Sequence, residues 1–255
     1  MRRLGDALDY LKTEARRRSG GLQDFSDEAE YLPGLRKLLD AIDADLDLPP
    51  SGENLAVSLL LGPLISRLYA NEGWKRRPDC LTRPVKAPVI IVGLVRTGTT
   101  ALHRLLSCDP QFQGPELWLI DRPMPRPPRK DWDNYPEYRE CVATMKAINE
   151  ASPMWNVVHP RGADLVDEIL DITKQCYTNN VWGSYFPLPT YDAWYPHQDH
   201  GPQYRYLYRV LQLIGADDAR PWLLKDPSSI MCMPLLFETF PDAKLIYTHR
   251  DPLEI

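Results

Sequence analysis

Apolar residues in the first part of the chain recur at helical spacing. Leu4, Leu8 and Leu11 share one face, and Leu35, Leu38, Leu39 and Ile42 repeat the pattern. A third helix is predicted from about Gly52 to Glu72. The period then changes. "VKAPVIIVG" (Val85 to Gly93) is a short run rich in β-branched residues without polar alternation, as expected of a central parallel strand buried on both faces. A helix follows from about Thr99 to Ser107, and "CDPQFQGPELW" reads as an irregular connection. Helical patterns return over Tyr135–Glu150, Ala163–Val181 and Tyr204–Ile214. Between them, "PMPRPPRK" (Pro123 to Lys130) is too rich in proline for helix or sheet interior, and the aromatic stretch from Trp182 to Tyr204 reads as loop. The last part has the order strand, helix, strand: Trp222–Lys225, Ser228–Phe240 and "AKLIYTH".

Strands alternating with helices predict an α/β fold, a parallel sheet flanked by helices in three layers, preceded by an N-terminal helical region. Residues 1–80 are read as a helical lead-in packed on the core, and residues 81–255 as the α/β core. Composition changes this picture little. A hydrophobic content of 44% suits a globular protein, and a net charge of -5 excludes a general nucleic-acid binder, so any anion site must be local. The five cysteines form no C-x-x-C pair, which suits a reduced, cytoplasmic setting and argues against a disulfide frame or a zinc site. The basic N-terminus has no apolar stretch behind it, and no segment reaches the roughly 18 to 20 apolar residues of a membrane span. A soluble protein is expected.

The chemistry concentrates in "GLVRTGTT" (Gly93 to Thr100), between the first strand and its helix. Backbone N–H groups opening a helix lack intrahelical partners and carry the positive end of its dipole, so such a loop cradles an anion. Arg96 adds a fork matched to oxyanions, and Thr97, Thr99 and Thr100 add hydroxyls around Gly98. A nucleoside-triphosphatase loop would place Lys after its second glycine, where this chain has Thr99, and would be joined by an acidic partner for magnesium. Neither is present, so no metal is expected. In parallel sheets ligands bind beyond the carboxyl ends of the strands, where Lys225 and Arg250 also end theirs.

At these residues the sequence resembles the bacterial branch of the PAPS-dependent sulfotransferases, which share a P-loop-NTPase-like fold. "PVIIVGLVRTGTT" (Pro88 to Thr100) resembles their 5′-phosphosulfate loop, and "FPDAKLIYTHRDP" (Phe240 to Pro252) their 3′-phosphate segment. "WLLKDPSSIMCMPLLFETFPDA", "YLYRVLQLI" and "HPRGADLVDEI" are similar to further segments of that branch. The resemblance implies PAPS (product PAP) as donor, held by Arg96, Thr97, Gly98, Thr99, Thr100, Lys225 and Arg250, and a hydroxylated small molecule, glycan or lipid as acceptor. For Lys225 a plain salt bridge stays open beside the cofactor contact. A homodimer also stays open.

Three departures matter. The histidine common four residues after the segment's lysine is Ser229 here. Trp118 is followed by Leu119 instead of the branch's glutamate. The serine eight residues beyond the arginine would lie past Ile255, so the chain is expected to lack a C-terminal segment. The general base is therefore open. His159 and Glu116 are the candidates beside Arg96 as catalytic residues, and His249 is expected on the far face of its strand. A P-loop kinase-like nucleotide enzyme and an inactive PAP-binding remnant are the alternatives.

Overall fold

A computed structural model describes residues 7–154, 160–251 and 253. At its centre lies strand β1 (Val89–Gly93), paired in parallel with β2 (Leu223–Lys225) on one side and β3 (Lys244–Thr248) on the other. The register sets Ile91 beside Lys225 and Ile246, and Gly93 beside Thr248. Ile90, Ile91 and Val92 are all buried, the double-faced burial that the unbroken β-branched run predicts. Trp222 stands just outside β2, bridged to Gln113.

Helices α1 (Leu8–Arg18), α2 (Leu32–Asp45) and α3 (Pro50–Arg76) precede the sheet. They bury Leu11, Leu35, Leu38 and Leu64 in one hydrophobic cluster with Tyr177, Trp182 and Tyr191. The aromatic stretch is thus largely core. It folds as short helical turns over Trp182–Tyr185 and Pro189–Trp194 rather than as plain loop. Arg67 of α3 is fully buried, with its guanidinium 4.6 Å from the Tyr31 ring and 4.5 Å from the Tyr206 ring, and it is paired with Glu30 at 3.0 Å.

A second cluster joins the sheet to the remaining helices. It unites Ile90, Val92 and Leu224 with Leu207 and Leu211 of the helix Gly201–Ile214 and with Leu236 and Phe240. Helix α4 (Thr99–Ser107) packs on β1 and β2, where its His103 is buried 3.4 Å from the Leu223 carbonyl. The predicted helix Ser228–Phe240 is broken: a 3-10 turn over Pro227–Cys232 precedes a helix over Met233–Thr239. Pro234 lacks an N–H and seats naturally in a first turn, so the α-helix begins around it.

The larger difference lies at Ala163–Val181, predicted helical. Only Leu170–Thr173 is α-helical, followed by a 3-10 turn over Lys174–Cys176. Before it the backbone is used up elsewhere. Ala163 and Leu165 carbonyls accept from Trp118 and Leu117, the Asp167 N–H donates to Pro115 O, and the Ile169 N–H donates to Lys225 O. These non-local bonds replace the helical ones that the local pattern suggests. Among the described residues no helix is long and apolar enough to cross a membrane.

Candidate active site

The loop leaving β1 turns through three left-handed positions: Gly93 (φ 150°), Arg96 (φ 68°) and Gly98 (φ 93°). Gly93 is required for close approach, because a Cβ there would lie 2.4 Å from Thr248 Oγ1 and 2.5 Å from Thr248 O. The Thr97 hydroxyl lies 2.6 Å from Leu94 O and 2.7 Å from Thr248 Oγ1, tying the loop to the end of β3. Gly98 caps α4, and Leu102 N–H donates to Gly98 O. The N–H groups of Thr99, Thr100 and Ala101 therefore precede the first intrahelical bond. A Cβ on Gly98 would meet nothing within 4 Å, so there is room for a ligand at this helix end. Arg96 is exposed in a conformation that an L-residue adopts at roughly 1–2 kcal/mol of strain, the kind of strain retained at binding loops.

A cavity of about 400 Å³ opens beside this loop, lined by Arg96, Thr99, Thr100, Lys225, Glu168 and Arg161. Its remaining wall is partly apolar, with Val95, Leu170, Val181 and Tyr185 next to Asn180 and Ser184. Lys225 closes β2, is almost fully buried, and donates to Thr100 Oγ1 at 3.0 Å while pairing with Glu168. Burial pushes the Glu168 carboxyl up to about 7, although Lys225 beside it pulls the other way.

The structure thus brings Arg96, Thr99, Thr100 and Lys225 to one cavity, with Thr97 and Gly98 in the same loop. Arg250 lies exposed two residues past Thr248, beyond the strand end that neighbours Gly93, and is not part of the cavity wall. His249 follows β3 and is exposed, 6.5 Å from the Tyr247 ring, not in the core as a far-face position would be. His159 falls outside the described residues.

Glu116 lies apart from this cavity. Its carboxylate is held by Arg126 at 3.0 Å, which also reaches Gln113 and Asp218, and it lines a different cavity, of about 910 Å³. This charge pairing draws it away from the loop, and the carboxylate that faces the loop is Glu168. Glu168 is not among the candidates read from the sequence, because the segment that carries it has a helical pattern while its backbone bonds elsewhere. The signal was available in "DLVDEI", an acidic pair amid apolar residues within a stretch already similar to the bacterial branch. Ser229, at the histidine position, is fully buried and donates to Asp226 at 2.8 Å while lying 3.2 Å from Tyr204 OH. That position faces the core, whereas Ser228 lines the cavity.

Residues 88–255 match the model of a sulfotransferase family, and the chain belongs to that family. The crystal structure of sulfotransferase STF1 from Mycobacterium tuberculosis H37Rv superposes with a TM-score of 0.90 at 36% identity, covering 98% of this chain and 68% of that one. Sulfotransferase STF9 from Mycobacterium avium gives 0.85 at 27% identity, covering 96% and 63%. An omega-hydroxy-beta-dihydromenaquinone-9 sulfotransferase of Mycobacterium bovis is 27% identical over 192 residues. The match takes in 65% of this chain but only 42% of that protein, so the chain spans less than half the length of this relative.

Proposed function

We propose that the chain carries the site of a PAPS-dependent sulfotransferase acting on a hydroxyl of an apolar small molecule or lipid, in a reducing, cytoplasmic setting. The carrying observation is the convergence of the Gly93–Thr100 loop, Lys225 and a near-neutral carboxyl on one cavity. The residues suit the donor. The open space at Gly98, the three N–H groups after it and the exposed Arg96 fit a phosphosulfate, and Arg250, two residues past the end of the adjoining strand, suits a 3′-phosphate. When bound, PAPS supplies an activated sulfuryl group.

Glu168 takes the proton of the acceptor hydroxyl as its oxygen attacks sulfur, a role suited to a carboxyl poised near neutral pH. Arg96, the loop N–H groups, Thr100 and Lys225 stabilise the negative charge that gathers on the departing phosphate oxygen. Lys225, sitting between Thr100 and Glu168, couples the two ends of the reaction. The apolar wall of Val95, Leu170, Val181 and Tyr185 supports an apolar acceptor body. So does the acceptor in the name of the mycobacterial relative, an omega-hydroxy-beta-dihydromenaquinone.

Calorimetric titration with PAP, and separately with Mg·ATP, tests the donor. Binding of PAP that disappears in Arg96→Ala and Arg250→Ala supports the reading; binding of Mg·ATP in its place supports a kinase-like enzyme and ends it. Glu168→Gln should retain PAP binding and lose turnover.

A further inference from the structure

Glu168 is not held by its own side chain alone. Asp167 Oδ1 accepts the Glu168 backbone N–H at 2.8 Å, and the Asp167 N–H is anchored on Pro115 O. Asp167 is itself buried, and its other oxygen accepts from Arg161 Nε at 2.7 Å. A second nitrogen of the same guanidinium donates to Asp171 at 2.5 Å, at the start of the turn that follows. One planar fork therefore spans the carboxylates on either side of Glu168, a geometry that the point charge of a lysine cannot reproduce. Arg161 also lines the cavity itself.

We infer that Arg161 is a positioning residue for Glu168, acting through Asp167 to hold the carboxyl against Lys225 and facing the acceptor. The inference rests on the reading of Glu168 as the base. The charged groups around Glu168 are Lys225 from β2, Asp226 after it, Asp167 on its own segment, and Arg161, Arg96 and Asp171 in the cavity wall. Arg161 pairs with Asp167 and Asp171, two of the three acids in this set. Without it a buried carboxylate beside Glu168 stands uncompensated, and the group that must give and take a proton is both loosened and surrounded by more negative charge. Asp171 keeps Lys174 as a second partner, so Asp167 bears the larger change.

The test is a carboxyl titration of the full chain labelled with ¹³C at glutamate Cδ, with the Glu168 resonance assigned from Glu168→Gln. In Arg161→Gln its midpoint is expected to rise by about one pH unit, the shift that loss of a nearby countercharge produces. Arg161→Lys should recover part of that shift. An unchanged midpoint in a folded Arg161→Gln protein overturns the inference. Should Arg161→Gln fail to fold, Arg161→Gln/Asp167→Asn removes charge and countercharge together and keeps an amide oxygen for the Glu168 N–H. Its midpoint should return to that of the parent, and one that remains raised shows that Arg161 does not act through Asp167. Turnover retained in Glu168→Gln would sink the base reading instead, whatever the titration shows.

Discussion

Gly93→Ala probes the link between the Gly93–Gly98 loop and the sheet. The new methyl group would lie 2.4 Å from Thr248 Oγ1 and 2.5 Å from Thr248 O, in a backbone conformation with φ of 150°. The hydroxyl can rotate away, giving up its contact with Thr97, but the carbonyl belongs to the strand paired with Gly93 and cannot move without opening the sheet edge. Backbone strain and overpacking of roughly 1–3 kcal/mol each sum to about 2–6 kcal/mol. For a domain of this size that lowers the melting temperature by roughly 4–24 °C. Urea and thermal unfolding followed by circular dichroism measure it. Gly98→Ala is the internal control: its φ of 93° is also strained, but the methyl group meets nothing within 4 Å, so about 1–3 kcal/mol is expected. Its main effect should fall on PAP affinity, because the methyl group occupies the ligand's space. Thr248→Ala in the Gly93→Ala background should recover only the side-chain part of the loss. A Gly93→Ala protein within about 1 kcal/mol of the parent would refute the reasoning.

Burial pushes His103 down to about 4, so the stability it contributes is present above its ordinary 6.5 and is lost as pH falls through 4. Glu168 is the reverse: raised from 4.5 to about 7, it contributes stability below 4.5 that is lost as pH rises through 7. Each is worth about 3 kcal/mol, and between pH 4.5 and 6.5 the two slopes oppose each other. The stability difference between parent and His103→Gln should therefore shrink on acidification, and that between parent and Glu168→Gln should shrink as pH rises; flat differences in urea midpoints contradict this. Arg67→Ala leaves Glu30 short of one of its two arginines in the core and should cost about 3–5 kcal/mol by equilibrium unfolding, with Arg67→Met, which keeps the volume, losing less. Gly34→Ala drives a Cβ to 2.7 Å from the Tyr177 carbonyl carbon and 2.9 Å from Thr178 N, both backbone atoms, and should cost about 1–3 kcal/mol; a neutral result in the same assay would show that α2 and that turn do not meet so closely.

The elements read correctly from the chain are those whose information is local. The β1 run, the two glycines and the amphipathic start of α4 are adjacent, so strand, loop and helix start are written within a dozen residues. The N-terminal helices were legible for the same reason, since one apolar stripe predicts a helix whatever it packs against. The aromatic stretch was less so. Aromatic side chains serve a pocket wall and a core equally well, and only the packing of Trp182 and Tyr191 against α2 and α3 decides for the core, leaving Tyr185 at the cavity.

What the sequence by itself determined is the strand–loop–helix over Gly93–Thr100, the parallel order of the strands and the placing of Lys225 and Arg250 at or just past strand ends, because each follows from short-range periodicity and one topological rule. Tertiary structure alone decided which carboxylate meets the loop. Residues 163–169 surrender their helical hydrogen bonds to Pro115, Leu117, Trp118 and Lys225, and this crossing delivers Glu168 to the cavity. Arg126 meanwhile captures Glu116, and the turn after Asp226 points Ser229 into the core. Burial then sets the protonation of Glu168, and burial is a property of the assembled fold that no residue's neighbours in the chain encode.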